Sequence, residues 1–586
     1  MGVPVIDRFY FQSDQAGPRL RIGLLVDGDH VPAFAAVVIE HIRACDFADI
    51  VLVVERKDGQ SQLAEKPNWL KRAWRVLRTK ARRRTFCYAL YTRLEEKLAR
   101  NPQADPLRMV DVSHELSGIP RLEVEPQASG FVHRFPAETV ETVREYKLDV
   151  LLRFGFNILK GDILTAARCG IWSYHHGDPE FYRGAPPQFW EMAEGNPRSG
   201  AVLQILDEHL DGGTVLEKGI FSNDLSISVR RNRITVFWGS VHFVIARLKV
   251  LHEQGIEHLL AQAYPAVPYR GRRVIYRTPS NGEFLRWFLG TLACKLRHKF
   301  GPRQVEHWQI AVRRSGTTFA VQPERGSVDL SGFAFVPSPK GLCYADPFVF
   351  WHQGQPYVFF ECDSYRGQPA IISVAQIGAD GIGPVSPCLA LPFHLSFPQV
   401  FEAEGEIFMM PESLEAGELA LYRAVAFPHH WEKDRVLLQG NVVDAALWQQ
   451  DGHWYLFATV VDLRSRTSSL HLFFSETLHG PWEPHPENPL SYDVRRARGA
   501  GALFQRSGKL FRPSQDGSGS YGRALEFNMV DELSAGHYAE HVALVVTPDH
   551  VPRQGKAVAT GVHTYHEAGG IEVIDAKFRV PARRVL

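Results

Sequence analysis

The chain has 586 residues, of which 45% are hydrophobic and 22% are charged, and its formal net charge is +1. That length exceeds one ordinary core and predicts two or three domains. The composition is that of a soluble globular protein, and the balanced charge predicts no nucleic-acid partner. The seven cysteines form no C-x-x-C pair, which argues against a zinc site and a disulfide framework, so we predict no metal and a cytoplasmic protein. We also expect no secretory signal and no membrane span, because the N-terminus carries charges and the apolar runs are short.

The first part of the chain alternates short apolar runs with amphipathic ones. This alternation predicts an α/β domain with a Rossmann-like parallel sheet covered by helices on both faces. Ligands of such sheets bind at the carboxyl ends of the strands. The predicted strands are 20–28, 49–55, 121–126 and 149–155, and the predicted helices are 31–45 and 136–148.

An insertion over 57–110 separates the second and third predicted strands. Its centre, 66–84, carries nine basic residues and no acid. One interpretation is a solvated helix that packs Trp69 and Trp74 inward. The other is a surface for an anionic partner, such as peripheral contact with an anionic membrane.

A weak repeat follows in the last part of the chain. Each copy is an apolar strand, a polar turn with glycine and a second apolar or aromatic strand. The spacing of the copies predicts an all-β five-bladed propeller with four strands in each blade. The copies are 344–361, 396–413, 442–459, 500–516 and a degenerate one at 562–578.

These patterns predict three regions. The α/β domain covers 1–225 and contains the basic insertion. An accessory region and linker cover 226–335, and the propeller covers 336–586.

The segment 170–216 contains a motif of ordered polar residues. His175 lies eight residues before the pair Arg183–Gly184, and the turn Asp211–Gly212–Gly213 follows. The types, order and spacing resemble the active-site segment of the folate-dependent formyltransferases. The family's asparagine falls on Ser173.

This resemblance implies transfer of a formyl group from 10-formyltetrahydrofolate to an amine. In the family, the positions of His175 and Asp211 are catalytic, for proton handling and support of the oxyanion, and Arg183 and Gly184 would contact substrate. Ser173 is either a substitute donor, a sign of a changed acceptor, or a sign of lost transfer.

Two further departures lie in the same loop. His176 and Asp178 stand where the family has apolar residues. They either read a different acceptor or are simply exposed.

The loop 152–164 resembles the family segment that holds the folate's pterin ring with backbone groups. On that resemblance Phe154, Gly155, Phe156 and Ile158 would bind the cofactor. The alternative is ordinary packing between a strand and a helix.

The propeller region resembles five-bladed furanosidases and arabinanases. It looks closest to the propeller of plant glucosamine inositolphosphorylceramide transferases, in the phrases MMPES and LYRAVAFPHHW. Asp346 and Asp444 occupy equivalent places in their copies, and Glu412 ends a second strand, whereas the second copy has Pro398 where an aspartate would complete the set. These acids either hydrolyse a glycoside or cap turns and bind sugar hydroxyls.

The sequence therefore leaves three functions open. The first is formyl transfer to an amino sugar or glycoconjugate. The second is a hydrolase of the same fold, and the third is a glycan-binding module without turnover. The oligomeric state is not predicted.

Overall fold

The computed structural model describes residues 10–13, 15–57, 83–209, 212–301, 303–316, 318–379 and 381–585. Most of the basic segment 66–84 and the predicted catalytic Asp211 lie outside these ranges. The chain divides into two compact units, Arg8–Lys299 and Phe300–Leu586.

The first unit is an α/β domain, as predicted. Its helices are α1 Ala33–Ala44, α2 Phe86–Lys97, α3 Ala137–Glu145, α4 Phe189–Ala193, α5 Val229–Gly239, α6 His242–Ala261 and α7 Asn281–Phe300. Its strands are β1 Leu20–Val26, β2 His30–Pro32, β3 Ala48–Arg56, β4 Met109–Asp111, β5 Arg121–Val124, β6 Gln127–Ser129, β7 Val132–Arg134, β8 Val150–Arg153, β9 Ile158–Lys160, β10 Ile171–His175, β11 Arg198–Ile205 and β12 Thr214–Ser222.

The main sheet of this unit runs in the order β12-β11-β10-β8-β1-β3-β5. The strands from β10 to β5 are parallel, and β11 and β12 extend the sheet antiparallel. Because the central strands are nearly fully buried, they need the continuous apolar runs that the sequence shows. The carboxyl ends of β1, β8 and β10 therefore lie at one edge of the sheet.

Helices α5 and α6 cover part of the sheet. The stretch Val229–Ala261 is long and apolar enough to cross a membrane, but 78% of its most apolar window is buried inside the protein. Its apolar side chains therefore belong to the core. Strand β12 ends at Ser222, and helices α5, α6 and α7 follow it along the chain.

Among its described residues, the second unit consists of β-strands, three short 3-10 turns and a terminal helix, α8 Ala582–Val585. Its strands are β13 Gln304–Arg314, β14 Val321–Gln322, β15 Ser327–Val328, β16 Ala334–Phe335, β17 Leu342–His352, β18 Gln355–Ser364, β19 Ile371–Gly378, β20 Gly381–Ile382, β21 Ser386–Leu389, β22 Ser396–Ala403, β23 Glu406–Glu412, β24 Glu418–Ala426, β25 His430–Gln439, β26 Val442–Gln450, β27 His453–Asp462, β28 Thr467–Ser475, β29 Glu483–Pro484, β30 Tyr492–Asp493, β31 Arg498–Gly499, β32 Phe504–Arg506, β33 Lys509–Asp516, β34 Ala524–Leu533, β35 Tyr538–Val546, β36 Ala559–Gly561, β37 Tyr565–Ala568 and β38 Ile571–Pro581.

Five antiparallel sheets make the blades of a propeller, which confirms the predicted fold class. Four of them are local and follow each other along the chain: β17 to β21, β22 to β25, β26 to β29 and β31 to β35. The fifth joins β13 and β16 to β36, β37 and β38. We number the blades I to V in this order.

The propeller begins earlier in the chain than the predicted start at residue 336, because blade V includes strand β13. Strand β13 lies inside the predicted linker 226–335, yet it pairs along its whole length with β38, from Gln304–Pro581 to Arg314–Ile571. Ile310 and Val312 of β13 pack into one hydrophobic core, and Ala311 between them packs into another. The linker prediction failed for this strand because its partner is distant in sequence.

Candidate functional site

The end of strand β10 carries the predicted catalytic residues of the α/β unit. Ser173 is buried, with 2% of its surface exposed, and His175 is the last residue of the strand. The imidazole Nε2 of His175 lies 3.1 Å from the carbonyl oxygen of Tyr182. Since a carbonyl only accepts, Nε2 is the donor in this contact.

Arg153 ends the neighbouring parallel strand and is the register partner of Ser173. Its Nε donates to Ser173 Oγ at 3.0 Å, and its Nη1 donates to the carbonyl of Asn157 at 3.1 Å. The Ser173 hydroxyl in turn lies 3.3 Å from the carbonyl of Tyr174. The serine is therefore engaged on both sides, and a guanidinium lies beside the position of the family's amide.

The predicted pterin loop crosses the end of strand β1. The N–H groups of Phe154 and Gly155 both donate to Leu25 O, at 2.9 and 2.8 Å. A Cβ on Gly155 would lie 2.5 Å from the backbone N of Asp27, so only glycine allows this approach. Phe156 has a left-handed backbone, with φ of 60°, and its N–H donates to Asp27 Oδ1 at 2.9 Å.

The side chains of this loop pack in two ways. Phe156 is buried, with its ring centroid 5.0 Å from that of Phe135. Ile158 begins β9 and pairs with Val132 of β7. Both residues thus contribute to local packing, and their contact with a cofactor stays a prediction.

Arg183 and Gly184 are engaged inside the unit. Arg183 Nε donates to Pro179 O at 2.9 Å, and its guanidinium lies 4.7 Å from the centre of the Tyr269 ring. Gly184 has φ of 101°, and a Cβ there would lie 2.3 Å from the carbonyl oxygen of Tyr276. This pair fixes the segment around Tyr276 against the active-site loop, and its contact with substrate stays a prediction.

His176 and Asp178 are not exposed. His176 stacks on Phe237 with ring centroids 3.4 Å apart, and burial lowers the pKa of His176 well below its usual value. Asp178 is buried and lies 3.0 Å from Lys218 Nζ. The exposed interpretation of these two residues is therefore wrong, because aromatic rings and a lysine surround them.

Three blades of the propeller share an irregular inner strand. Asp346, Phe397 and Asp444 have φ of 50°, 47° and 43°, and each lies at a register shift between its blade's first two strands. The structural equivalent of the two aspartates in blade II is thus Phe397. The alignment to Pro398 is corrected by one residue, because the bulge and not the proline defines the position.

A cluster of charged groups surrounds Asp346. Its Oδ1 accepts from Thr564 Oγ1 at 2.7 Å, and its N–H donates to Asp575 Oδ2 at 3.0 Å. His563 contacts both carboxylates, with Nδ1 2.7 Å from Asp575 and Nε2 3.6 Å from Asp346. Burial raises the pKa of Asp346 to about 6, and His563 opposes this rise.

The same three groups could hold a metal ion. The donor atoms of Asp346, His563 and Asp575 all lie within 4.8 Å of one another and are buried. Two carboxylates and an imidazole form a donor set that suits a divalent cation. The sequence analysis predicted no metal and missed His563 and Asp575, because they lie in the degenerate fifth copy.

Arg498 joins two further acids in the propeller. It forms an ion pair with Asp444 through Nε, and its Nη2 lies 3.9 Å from Glu412 Oε2. Ser396 Oγ donates to Glu412 at 3.0 Å, and Gln515 Nε2 donates to Asp444 at 3.0 Å. Burial and the Asp444 charge raise the pKa of Glu412 well above its usual value.

Comparison with known proteins finds similarity to two kinds of protein. Residues 303–569 match a family model described as "Glucosamine inositolphosphorylceramide transferase 1, N-terminal". A protein of that name from Arabidopsis thaliana is 34% identical over 281 residues, which are 44% of this chain and 36% of that protein. A methionyl-tRNA formyltransferase from Prochlorococcus marinus (strain NATL2A) is 25% identical over 151 residues, which are 25% of this chain and 43% of that protein. The chain thus spans less than half the length of either relative.

Solved structures resemble each unit at low sequence identity. Glycinamide ribonucleotide transformylase 1 from Symbiobacterium toebii has 14% identity and a TM-score of 0.27, covering 41% of this chain and 90% of that one. The α-L-arabinofuranosidase PaAbf62A from Podospora anserina has 12% identity and a TM-score of 0.31, covering 42% of this chain and 94% of that one. The fold assigned to each unit is therefore based on the strand order observed in its own sheets.

Proposed function

We propose that the α/β unit is a folate-dependent formyltransferase. It moves a formyl group from 10-formyltetrahydrofolate to an amine on an amino sugar or glycoconjugate. The observation that carries this proposal is the placement of His175 at the carboxyl end of β10, the strand that also holds Ser173, beside Arg153 at the end of the neighbouring parallel strand β8. The similarity of the chain to a methionyl-tRNA formyltransferase supports it.

The chemistry needs a proton acceptor and a donor toward oxygen. The acceptor amine attacks the formyl carbon, a carbon–nitrogen bond forms, and the carbonyl oxygen becomes an oxyanion. Nδ1 of His175 takes the amine proton and returns it to the folate nitrogen as the carbon–nitrogen bond to folate breaks. The formyl carbon thereby moves to the acceptor nitrogen. The folate nitrogen receives the proton and the electron pair of the broken bond.

Arg153 is the donor that this proposal assigns to the oxyanion. Ser173 Oγ accepts from Arg153 and lies within hydrogen-bond distance of a backbone carbonyl, so its hydroxyl is directed into the protein. A guanidinium is a stronger donor than a neutral amide because its hydrogen bonds are charge-assisted. This arrangement gives a reason why the family's asparagine is dispensable here.

The test compares binding and turnover in the same preparations. We expect 5-formyltetrahydrofolate at about 100 times its Kd to stabilise the protein by about 2.7 kcal/mol in thermal unfolding. With 10-formyltetrahydrofolate and glucosamine, His175→Ala should reduce formyl transfer at least about 100-fold while keeping folate binding. The exposed His430→Ala is the matched control.

Two outcomes would contradict the proposal. One is the absence of any folate-induced shift, and the other is full activity of His175→Ala. Formate release without an amine acceptor would instead identify the hydrolase of the same fold.

A second function is favoured for the propeller. Glycoside hydrolysis uses a pair of carboxyl groups; here the pKa of Glu412 is raised, and Asp444 is paired with Arg498. We propose that this site binds a sugar and processes its glycosidic bond. Asp444→Asn and Glu412→Gln should abolish hydrolysis of chromogenic furanosides. If hydrolysis survives both changes, these two acids do not catalyse it. Calorimetry would then measure whether the site only binds the sugar.

A further inference from the structure

Two contacting helices of the α/β unit leave apolar stripes in solvent. On α7 the stripe follows the spacing of one helix face, since its members are separated by whole helical turns. On α2 the members recur every four residues. The exposed side chains are Phe86, Leu90, Leu94 and Leu98 on and just after α2, and Leu285, Leu289, Leu296 and Phe300 on α7.

Packing holds the two helices together. Tyr91 of α2 contacts the rings of Phe284, Trp287 and Phe288 of α7, with centroids 5.2 to 6.2 Å apart. The side chain of Asn281 accepts from Cys87 N at 2.9 Å, which joins the beginnings of the two helices. The stripes therefore belong to a pre-formed surface, which we call the helix-pair surface.

The charges beside the α7 stripe are basic. By helical geometry Lys295 and Lys299 lie on one side of it, and Arg286 and Arg297 lie on the other. All four side chains are exposed. The sole acid of the helix sequence, Glu283, is bound to Arg273 at 2.9 Å.

The charges of α2 follow the same rule. Arg93 and Lys97 are exposed on the face that carries the apolar stripe. Glu95 accepts from Ser228 Oγ at 2.6 Å, and Glu96 lies 4.0 Å from Arg233. The acids thus have basic or hydroxyl partners within the unit, while these two cations face outward.

We propose that the helix-pair surface docks onto an anionic lipid bilayer. Leucine and phenylalanine side chains would enter the boundary between headgroups and acyl chains, and the flanking lysines and arginines would contact lipid phosphates. A nucleic acid would use the cations but gains little from a row of leucines. A second copy of the chain would meet the same basic rims, and like charges would oppose the contact.

The test is flotation of the full chain with vesicles. We compare pure phosphatidylcholine with vesicles that contain phosphatidylglycerol, at low and high salt. We expect association with the anionic vesicles, weakened by salt because the basic contacts are screened. Lys295→Glu with Arg297→Glu should lower the partition coefficient at least about 25-fold, since each basic residue near the surface contributes about fivefold.

Matched changes on the propeller serve as controls. Leu289 and Leu463 are equally exposed, at 58% and 59%, so Leu289→Glu should lose vesicle binding and Leu463→Glu should keep it. Arg553→Glu with Lys556→Glu is the charge control. Each variant's unfolding temperature shows that it remains folded.

Several results would overturn the proposal. These are no association with anionic vesicles, equal association with neutral ones, or equal behaviour of Leu289→Glu and Leu463→Glu. Binding of Leu289→Glu at the wild-type level would place the contact elsewhere, residues 66–84 included. Loss of tRNA binding in the charge variant, with no vesicle binding in the wild type, would identify a nucleic-acid surface instead.

Discussion

At the scale of single residues, Ser173 shows what a sequence can and cannot reveal. The substitution of serine for the family's asparagine is visible in the sequence, and so is His175 nearby. The bond from Arg153 to Ser173 Oγ is not, because it depends on the register of two strands twenty residues apart. The signal was Arg153, a charged residue that follows the apolar residues Val150–Leu152 in the predicted strand 149–155.

Buried acids were equally hard to foresee. Glu191 in α4 is 1% exposed, although a glutamate within a short apolar run such as FWEMA can also lie at a helix surface. Burial raises its pKa to about 8. The folded state therefore holds a proton on Glu191 that the unfolded chain releases above about pH 4.5.

This difference predicts how stability depends on pH. Between about pH 4.5 and 8 the folded state binds more protons at Glu191, so the free energy of unfolding falls as pH rises, by up to about 1.4 kcal/mol per pH unit. Glu191→Gln keeps the shape and removes the charge, so its advantage over wild type should grow from pH 5 to pH 8. Urea unfolding followed by tryptophan fluorescence measures this.

The exposed Glu141→Gln is the control for Glu191, and it should show no such trend. Parallel curves for wild type and Glu191→Gln across this range would contradict the assignment.

At the scale of elements, the sequence predicted well wherever partners are close along the chain. The predicted strands 20–28 and 49–55 correspond to β1 and β3, and four of the five repeat copies fall in local blades. In blade II the predicted position of the bulge was one residue off, because a register shift is not visible in the residue types. The loop 154–158 was identified by its resemblance to the family segment. The fold explains its glycine, Gly155, because the backbone of strand β1 approaches it closely.

The close approach at Gly155 makes a second prediction. A Cβ there would lie 2.5 Å from backbone atoms of Val26 and Asp27, and backbone cannot move aside cheaply. Gly155→Ala should displace the loop, destabilise the unit by about 2 kcal/mol or more, and weaken 5-formyltetrahydrofolate binding. Thermal unfolding and calorimetry report the two effects.

Gly290→Ala is the matched control for Gly155→Ala. It lies within α7 with nothing within 4 Å of the added Cβ, so it should leave stability unchanged or raise it by up to about 1 kcal/mol. Equal losses in both variants would show that the approach at Gly155 is not the cause.

At the scale of the whole molecule, the closing strand was the largest miss. Strand β13 is buried at Ile310, Ala311 and Val312, but its sequence alone does not identify the strand that it pairs with. Arg313 and Glu572 form an ion pair 259 residues apart, at 2.6 Å. A repeat search compares neighbouring copies and therefore overlooks a blade built from two distant pieces.

A truncation tests this closure. A fragment of residues 300–586 keeps β13 and should be soluble and unfold cooperatively. A fragment of residues 336–586 lacks it, leaves β38 without its longest partner, and should aggregate because an exposed edge strand invites pairing. Size-exclusion chromatography and circular dichroism distinguish the two, and a well-folded 336–586 fragment would contradict the role of β13.

The pairing of β13 with β38 also orders events at the ribosome. During synthesis β13 emerges first among the propeller's long strands, and blades I to IV can each fold locally as they appear. The ring of blades cannot close until residue 581 has left the exit tunnel. Until then β13 has no paired strand along the edge that β38 will occupy. Nascent chains whose β38 is still inside the tunnel should therefore be bound by chaperones, and those whose β38 has left the tunnel should not.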